Sequence, residues 1–210
     1  MNDSSICHVN LAGGFRGGER QTFLLMEELA SRGHEQRLIA KANSALAANA
    51  KLIEDLEIIE SSLNGFDCRT YFKDSPLLHF HESRVFAAIW SFGIATEKKH
   101  IITRRVERPP RSNFISKSIY SNANQTVTLS RSISKSIQKS FNLDLDPIVI
   151  PSAKTGFTTD QVEVQRIRSK MRGDFIVGHI GALDDSHKGQ LQIIELAQMT
   201  QETFPEICFL

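Results

Sequence analysis

Cysteine is scarce in this 210-residue chain: Cys7, Cys68 and Cys208 stand far apart and form no CxxC pair. That spacing argues against a disulfide framework and a cysteine zinc site, and it fits a reducing compartment. An excess of charge of one sign is also lacking. Twenty-five Lys and Arg against 24 Asp and Glu leave a formal net charge of +1, so bulk electrostatics gives no argument for a nucleic-acid partner. Long hydrophobic runs are missing too. The longest near a helix, Val85 to Trp90, is far too short to cross a bilayer. The first ten residues, MNDSSICHVN, have neither a basic segment nor an apolar stretch of signal-peptide type. The expectation is a chain made and kept in the cytosol. With 40% apolar residues and a length between one average and two large domains, it can bury a substantial core.

What is there is a rhythm. Ile6–Leu11 predicts a short buried strand, followed by a glycine-rich loop, Gly13-Gly14-Phe15-Arg16-Gly17-Gly18. A helix is expected from about Glu19 to Arg32, because Thr22, Leu25, Met26 and Leu29 recur on one helical face, with Gly33 as its cap. Strands follow at Arg37–Ala40, Glu57–Ile59, Leu77–Phe80, His100–Thr103, Gln125–Leu129 and Ile148–Ile150, the last ended by Pro151. Helices are expected at Ser44–Asp55, at Arg84–Phe92 with Ser83 as cap, and after Ser130 as far as Phe141. Strands alternating with helices predict an α/β, doubly wound parallel sheet covered on both faces.

A second pattern begins after a helix-like stretch, Asp160 to Arg172. Phe175–Gly181 reads as a strand entering a glycine turn, Lys188–Thr203 as an amphipathic helix, and Glu206–Leu210 as another strand. The expected organisation is a first domain over 1–152, a linker and helix over 153–173, and an incomplete second domain over 174–210. Two strands and a helix are marginal alone, so the end of the chain reads as a truncation. The apolar strands of that short segment are expected to be exposed, to pack elsewhere, or to promote self-association.

Four places could carry chemistry. The loop ending in Gly17 and Gly18 lets backbone approach a ligand and leads into a helix N-terminus that offers N–H groups to an anion. Its spacing is not GxGxxG. His79-Phe80-His81-Glu82-Ser83-Arg84 stands at the end of a strand, where ligands of open α/β sheets gather. His79 and His81 point the same way along a strand. His81 beside Glu82 suits a base or a hydroxyl-binding group. A metal is a weaker fit, because no third ligand is evident nearby. Arg104 and Arg105 also follow a strand and suit phosphates or carboxylates. Lys188 at a helix start could meet a phosphate. Against each stands a plainer alternative: a glycine turn without a ligand, a hydrogen-bonded histidine, a solvated charged loop, a solvent-facing lysine.

Together these pieces resemble the retaining glycosyltransferases of the GT-B fold, specifically glycosyltransferase family 4. The carriers are His8-Val9-Asn10-Leu11, Gly17-Gly18-Glu19-Arg20, Arg32-Gly33-His34-Glu35, His79-Phe80-His81-Glu82 and Val127-Thr128-Leu129-Ser130. Ile148-Val149-Ile150-Pro151-Ser152 and Gly181-Ala182-Leu183 with Lys188-Gly189-Gln190 complete the set. Each motif is weak alone; their order and spacing over nearly the whole chain make the match. Arg104-Arg105-Val106 and Lys117-Ser118-Ile119-Tyr120 look closest to members that build lipopolysaccharide core or other surface glycans.

The resemblance implies a sugar transferred with retention from a nucleotide-sugar donor to a glycan or lipid-linked acceptor. It implies the acceptor in the first domain, the donor in the second, and no metal or other cofactor. His81 would be the catalytic contact to the reacting sugar, and Gly17, Gly18, Glu82, Arg104, Arg105 and Lys188 the binding residues. No nucleic-acid partner is implied, and peripheral association with the cytoplasmic face of the inner membrane is compatible with it. Two departures stand out. Ala182 occupies the place of a phosphate-binding arginine in many members, and the family's distal acidic motif has no counterpart within the 210 residues. The chain alone is therefore expected to be inactive. The alternatives are a non-catalytic sugar- or nucleotide-binding remnant and an NAD(P)-dependent oxidoreductase. The second would want GxGxxG and an acidic end to the second strand, where Ala40-Lys41-Ala42 stands.

Overall fold

A computed structural model describes residues 5–62, 65–153, 158–171, 173–181 and 188–210. They fall into two compact units, Met1–Lys154 and Thr155–Leu210.

The first unit is a seven-stranded sheet in the order β3-β2-β1-β4-β5-β6-β7. Its strands are β1 (Ile6–Asn10), β2 (Gln36–Lys41), β3 (Glu57–Ser61), β4 (Leu77–Phe80), β5 (Lys99–Arg104), β6 (Gln125–Thr128) and β7 (Ile148–Val149). Every neighbouring pair is parallel. The chain thus forms the doubly wound α/β sheet expected from the alternation. The strand order reverses between β1 and β4, which pair as Ile6↔Leu77 to Val9↔Phe80. In an open sheet this switch point leaves a crevice at the carboxyl ends of the strands.

Alternation along the strands divides the first unit into two layers. On one face Met26 of α1 (Gly17–Ser31) and Leu46, Ala47 and Ala50 of α2 (Ala45–Ala50) pack with Leu38 and Ala40. On the other face Cys7, Val9, Leu78, Phe80 and Ile102 meet helices from the connections that follow β3, β4, β5 and β6. These are α3 (Arg69–Asp74), α4 (Phe86–Ser91), α5 (Ile94–Glu97), α6 (Phe114–Ser121) and α7 (Arg131–Phe141).

Local signals decide where several helices start. The Ser130 hydroxyl accepts from Ile133 N–H and caps α7, as expected. Asn113 caps α6 by accepting from Ser116 N–H; this helix and the short α3 and α5 are additions to the sequence-based assignment. Two expectations need correction. The helix predicted over Ser44–Asp55 ends at Ala50, and Asp55 takes a left-handed backbone with φ 56°. The alanines favoured helix, but Ile53 must turn back into the core. Ser83 does not cap α4; its carbonyl accepts Phe86 N–H, and the side-chain acceptor in that turn is Glu82, which takes Arg84 N–H at 2.6 Å.

The second unit contains α8 (Gln161–Arg168), β8 (Phe175–Val177), α9 (Gln190–Thr200) and β9 (Ile207–Phe209). Asp160 caps α8, and β8 pairs with β9 in parallel. Among its described residues none is buried; Phe175 is 68% exposed and Leu210 61%. Arg172, Ala182 and Leu183, which carried part of the sequence reading, lie outside the described residues. Among the described residues no helix is long and apolar enough to cross a membrane.

Candidate functional site

Strand β1 delivers Asn10 to the sheet's carboxyl edge, where its amide organises the glycine loop. Asn10 Nδ2 donates to Thr22 Oγ1 at 3.0 Å, Asn10 Oδ1 accepts Ala12 N–H at 3.1 Å, and Thr22 Oγ1 donates to Gly18 O at 3.1 Å. Strand, loop and α1 are therefore tied by a buried polar pair. Gly17 and Gly18 do not take positive φ, and a Cβ built on either would meet at most Arg105 Cδ, 4.0 Å from Gly18. The backbone does not demand glycine there; the missing side chains leave open space at the start of α1, whose first N–H groups lack helical partners.

Beside this loop lies a cleft of about 740 Å³ lined by Gly13, Gly14, Arg16, Gly18 and Glu19 from one side. His81, Glu82, Ser83 and Arg84 line it from the end of β4, Thr103 to Val106 from the end of β5, and Tyr120 from α6. Of the residues singled out in the sequence, Gly18, His81, Glu82, Arg104 and Arg105 share this cleft. Gly17 opens α1 beside it, outside the lining. Lys188 belongs to the second unit. Arg16, Arg84 and Tyr120 line the cleft as well; each lies in a segment that the sequence singled out, but without a binding role of its own there.

Glu82 joins the two edges. Its carboxylate accepts Leu11 N–H at 3.3 Å and Arg84 N–H, while Arg84 Nη1 donates to Leu11 O at 3.1 Å. Burial raises its pKa, and these N–H groups and the Arg84 charge work the other way. Glu19 likewise accepts Arg16 N–H at 2.8 Å. Both acids of the cleft are thus used locally. The guanidiniums of Arg16, Arg84, Arg104 and Arg105 make no ion pair among the described residues. Burial lowers the Arg105 pKa to about 10, the charge of Glu19 opposing the shift. The Nε atoms of Arg104 and Arg105 are buried without a hydrogen-bond partner.

Behind the cleft sits a group of histidines at the topological switch point. His8 and His79 are paired across β1 and β4, and His81 N–H donates to Val9 O. The three rings lie on one face, with the His79 and His81 centroids 4.1 Å apart. All three are buried. Their pKa values are depressed first by burial and then by neighbouring positive charge: His8 to about 4, His79 and His81 well below the ordinary imidazole value. His8 is also hydrogen-bonded to Gln36, which offsets part of its shift.

The hydrogen bonds among these groups have a defined sense. Arg105 Nη1, 3.1 Å from His81 Nδ1, can only donate, so Nδ1 accepts and the neutral ring carries its proton on Nε2. That Nε2 lies 3.1 Å from His8 Nδ1, and His8 Nε2 lies 3.1 Å from Gln36 Oε1. Gln36 Nε2 closes the series on the Met26 carbonyl of α1 at 2.9 Å. His79 pairs separately with Thr103 Oγ1 at 2.7 Å.

His8 supplies the third nitrogen that the sequence left unlocated. The ligand atoms of His8, His79 and His81 lie within 4.8 Å of one another. A metal on Nε2 of His81 would move that ring's proton to Nδ1, directly against the Arg105 guanidinium, setting two donors face to face. The donor set as it stands suits a chain of neutral imidazoles better than a cation.

Comparison with solved structures places the fold. No protein-family model matches the sequence. No curated protein matches it either. Among solved structures, HepE from Anabaena in complex with UDP and glucose aligns over 97% of this chain and 59% of its own length, with TM-score 0.70 and 14% identity. A glycosyltransferase from Rickettsia africae aligns over 96% of this chain and 59% of its own, with TM-score 0.66 and 19% identity. The apo form of the lipopolysaccharide outer core galactosyltransferase WaaB covers 98% of this chain and 67% of its own, with TM-score 0.54 and 11% identity. The chain thus spans about three-fifths of the length of the first of these, and it shares their α/β, Rossmann-like GT-B fold.

Proposed function

We propose that the chain is the acceptor-side part of a glycosyltransferase that moves a hexosyl or related sugar from a nucleotide-sugar donor to a glycan or lipid-linked acceptor. The observation that carries this reading is the cleft at the carboxyl ends of β1, β4 and β5, in a sheet whose fold is that of glycosyltransferases. Membership of family 4, retention of configuration and a role in lipopolysaccharide or surface-polysaccharide assembly belong to the same proposal and rest on the sequence resemblance. In it His81 stands at the reacting sugar and Glu82 holds a sugar hydroxyl. Gly17 and Gly18 admit the substrate to the α1 N-terminus, Arg104 and Arg105 meet its anionic group, and Lys188 serves the donor phosphates from the second unit. No metal takes part: guanidiniums and helix N–H groups supply the positive charge that a leaving diphosphate requires.

Peripheral membrane attachment and self-association through the apolar residues of the second unit complete the proposal. Sedimentation of the chain with and without anionic vesicles tests both. A strictly monomeric chain that ignores vesicles removes them.

Nuclear magnetic resonance of the His81 and Arg105 side chains tests the central reading. UDP-glucose, other nucleotide sugars, candidate glycan acceptors and NADPH are titrated separately. Perturbation by a nucleotide sugar or an acceptor is expected; perturbation by NADPH alone would favour an oxidoreductase. In any preparation that transfers sugar, His81→Ala is expected to lower turnover by about 100-fold or more with the fold intact. Near-normal turnover assigns His81 to structure instead.

A further inference from the structure

We propose that Gln36 and His8 are positioning residues for the cleft, acting through a one-way hydrogen-bond chain that holds Arg105 ready for a phosphate-like anion. The inference rests on the reading of the cleft as a substrate site, and it names the chemistry that the site recognises.

The chain begins at a fixed point. The Met26 carbonyl belongs to α1, so Gln36 must present its amide nitrogen to it and its oxygen to His8. That oxygen can only accept, which places the His8 proton on Nε2 and leaves Nδ1 as an acceptor for His81. His81 then turns an unprotonated Nδ1 toward Arg105. Each partner fixes the next, from a helix carbonyl to a guanidinium at the cleft wall. Reading from either end gives the same tautomers, because a carbonyl cannot donate and a guanidinium cannot accept.

The far end shows what the chain is for. Arg105 uses Nη1 on a neutral ring, and its Nε is buried with no partner. No carboxylate among the described residues forms an ion pair with it. The cleft sets Arg16, Arg84, Arg104 and Arg105 against Glu19 and Glu82, and both acids already accept backbone N–H groups. A planar guanidinium oriented through Nη1, whose Nη2 makes no hydrogen bond among the described residues, suits an oxygen of a phosphate. A protonated His81 would present N–H to Arg105 and turn it away, so the depressed pKa values of the three histidines serve the same arrangement. Neither His8 nor Gln36 lines the cleft.

The test reads the chain directly. Long-range proton–nitrogen spectra of the 210-residue protein at pH 7 should show His8 and His81 neutral, each protonated on Nε2. A proton on Nδ1 of either ring, or a charged ring, overturns the chain without any variant. Gln36→Met removes the acceptor for His8 yet forms no hydrogen bond to His81 in the native protein. It should give His81 a mixture of tautomers and weaken pyrophosphate binding about tenfold. An unchanged His81 pattern in a folded Gln36→Met variant also overturns the proposal. Pyrophosphate, UDP and a hexose monophosphate separate the sources of the anion: UDP that competes with pyrophosphate identifies the donor, and a hexose phosphate that does so alone identifies the acceptor. Correct tautomers with no binding of any of the three overturn the substrate reading of the cleft and the positioning role with it. Incorrect tautomers with intact anion binding overturn the chain alone.

Discussion

The two faces of the sheet are built from the same strands and solve burial in opposite ways. Toward α3 to α7, alternate residues Cys7, Val9, Leu78, Phe80 and Ile102 form an apolar core. His100 is buried there as well, with its ring nitrogens facing the carbonyls of Lys98 and Ile119. One residue over on the same strands, His8, Asn10, Gln36, His79, His81 and Thr103 are also buried, on the side of α1. The first face is mainly apolar and serves chiefly to exclude water. The second hides a layer of donors and acceptors that need partners, because an unpaired buried polar group costs about 1–3 kcal/mol. A polar layer is therefore geometrically specified where an apolar one is merely filled, and it lies where the strand order reverses and the cleft opens.

The comparison can be broken most severely from the apolar side. Phe80 is fully buried and meets Phe86 edge-on with ring centroids 6.2 Å apart. Phe80→Ala should cost about 3–5 kcal/mol in urea unfolding, while the histidine tautomers on the opposite face stay as they are. A loss below about 1 kcal/mol would mean that this face is not tightly packed.

Acid should break the polar side. A histidine whose folded pKa is depressed binds fewer protons folded than unfolded, so its stabilisation is complete above pH 6.5 and is lost as pH falls. For His8, shifted to about 4, the loss between pH 6.5 and 4 is about 3 kcal/mol, at roughly 1.4 kcal/mol per pH unit. His79 and His81 shift in the same direction and steepen the fall. Denaturant titrations at a series of pH values measure the slope, and a flat profile over that window would contradict the neutral chain.

Adjacent residues on β5 sharpen the contrast at smaller scale. Thr103→Val keeps the shape but leaves His79 Nε2 without its partner at 2.7 Å, for an expected loss of about 1–3 kcal/mol. Ile102→Val, next to it on the apolar face, should cost about 0.5–1.5 kcal/mol. Thermal unfolding of the pair, at pH 7 and again at pH 5, gives the comparison. Thr103→Val should change its penalty with pH, and Ile102→Val should not.

Some of this was legible before any coordinates. Apolar runs bounded by turn residues located the strands, periodicity located α1, and Ser130 marked a helix start, because all three depend on neighbours in sequence. His81, Glu82, Arg104 and Arg105 could be singled out because strand ends in an alternating α/β chain share one edge. The helix over Phe114–Ser121 was not assigned: its eight residues are too few for an i, i+3, i+4, i+7 pattern to repeat. Arg16, Arg84 and Tyr120 stood in segments that drew notice but received no binding role, because a cleft wall is assembled from three loops and a helix that sequence spacing does not relate.

By itself, then, the sequence determined the doubly wound class and the strand-end positions where chemistry could sit. Only the tertiary structure decided that His8, 73 residues from His81, would be its partner, and that Gln36 would direct the pair. Strand order supplies the reason. Placing β4 beside β1 sets His8 against His79 and brings His81 within reach. Placing α1 over that face adds the Met26 carbonyl that gives the hydrogen bonds their sense. Neither placement is a local property of the chain; both follow from crossovers that bury each face of the sheet under helices.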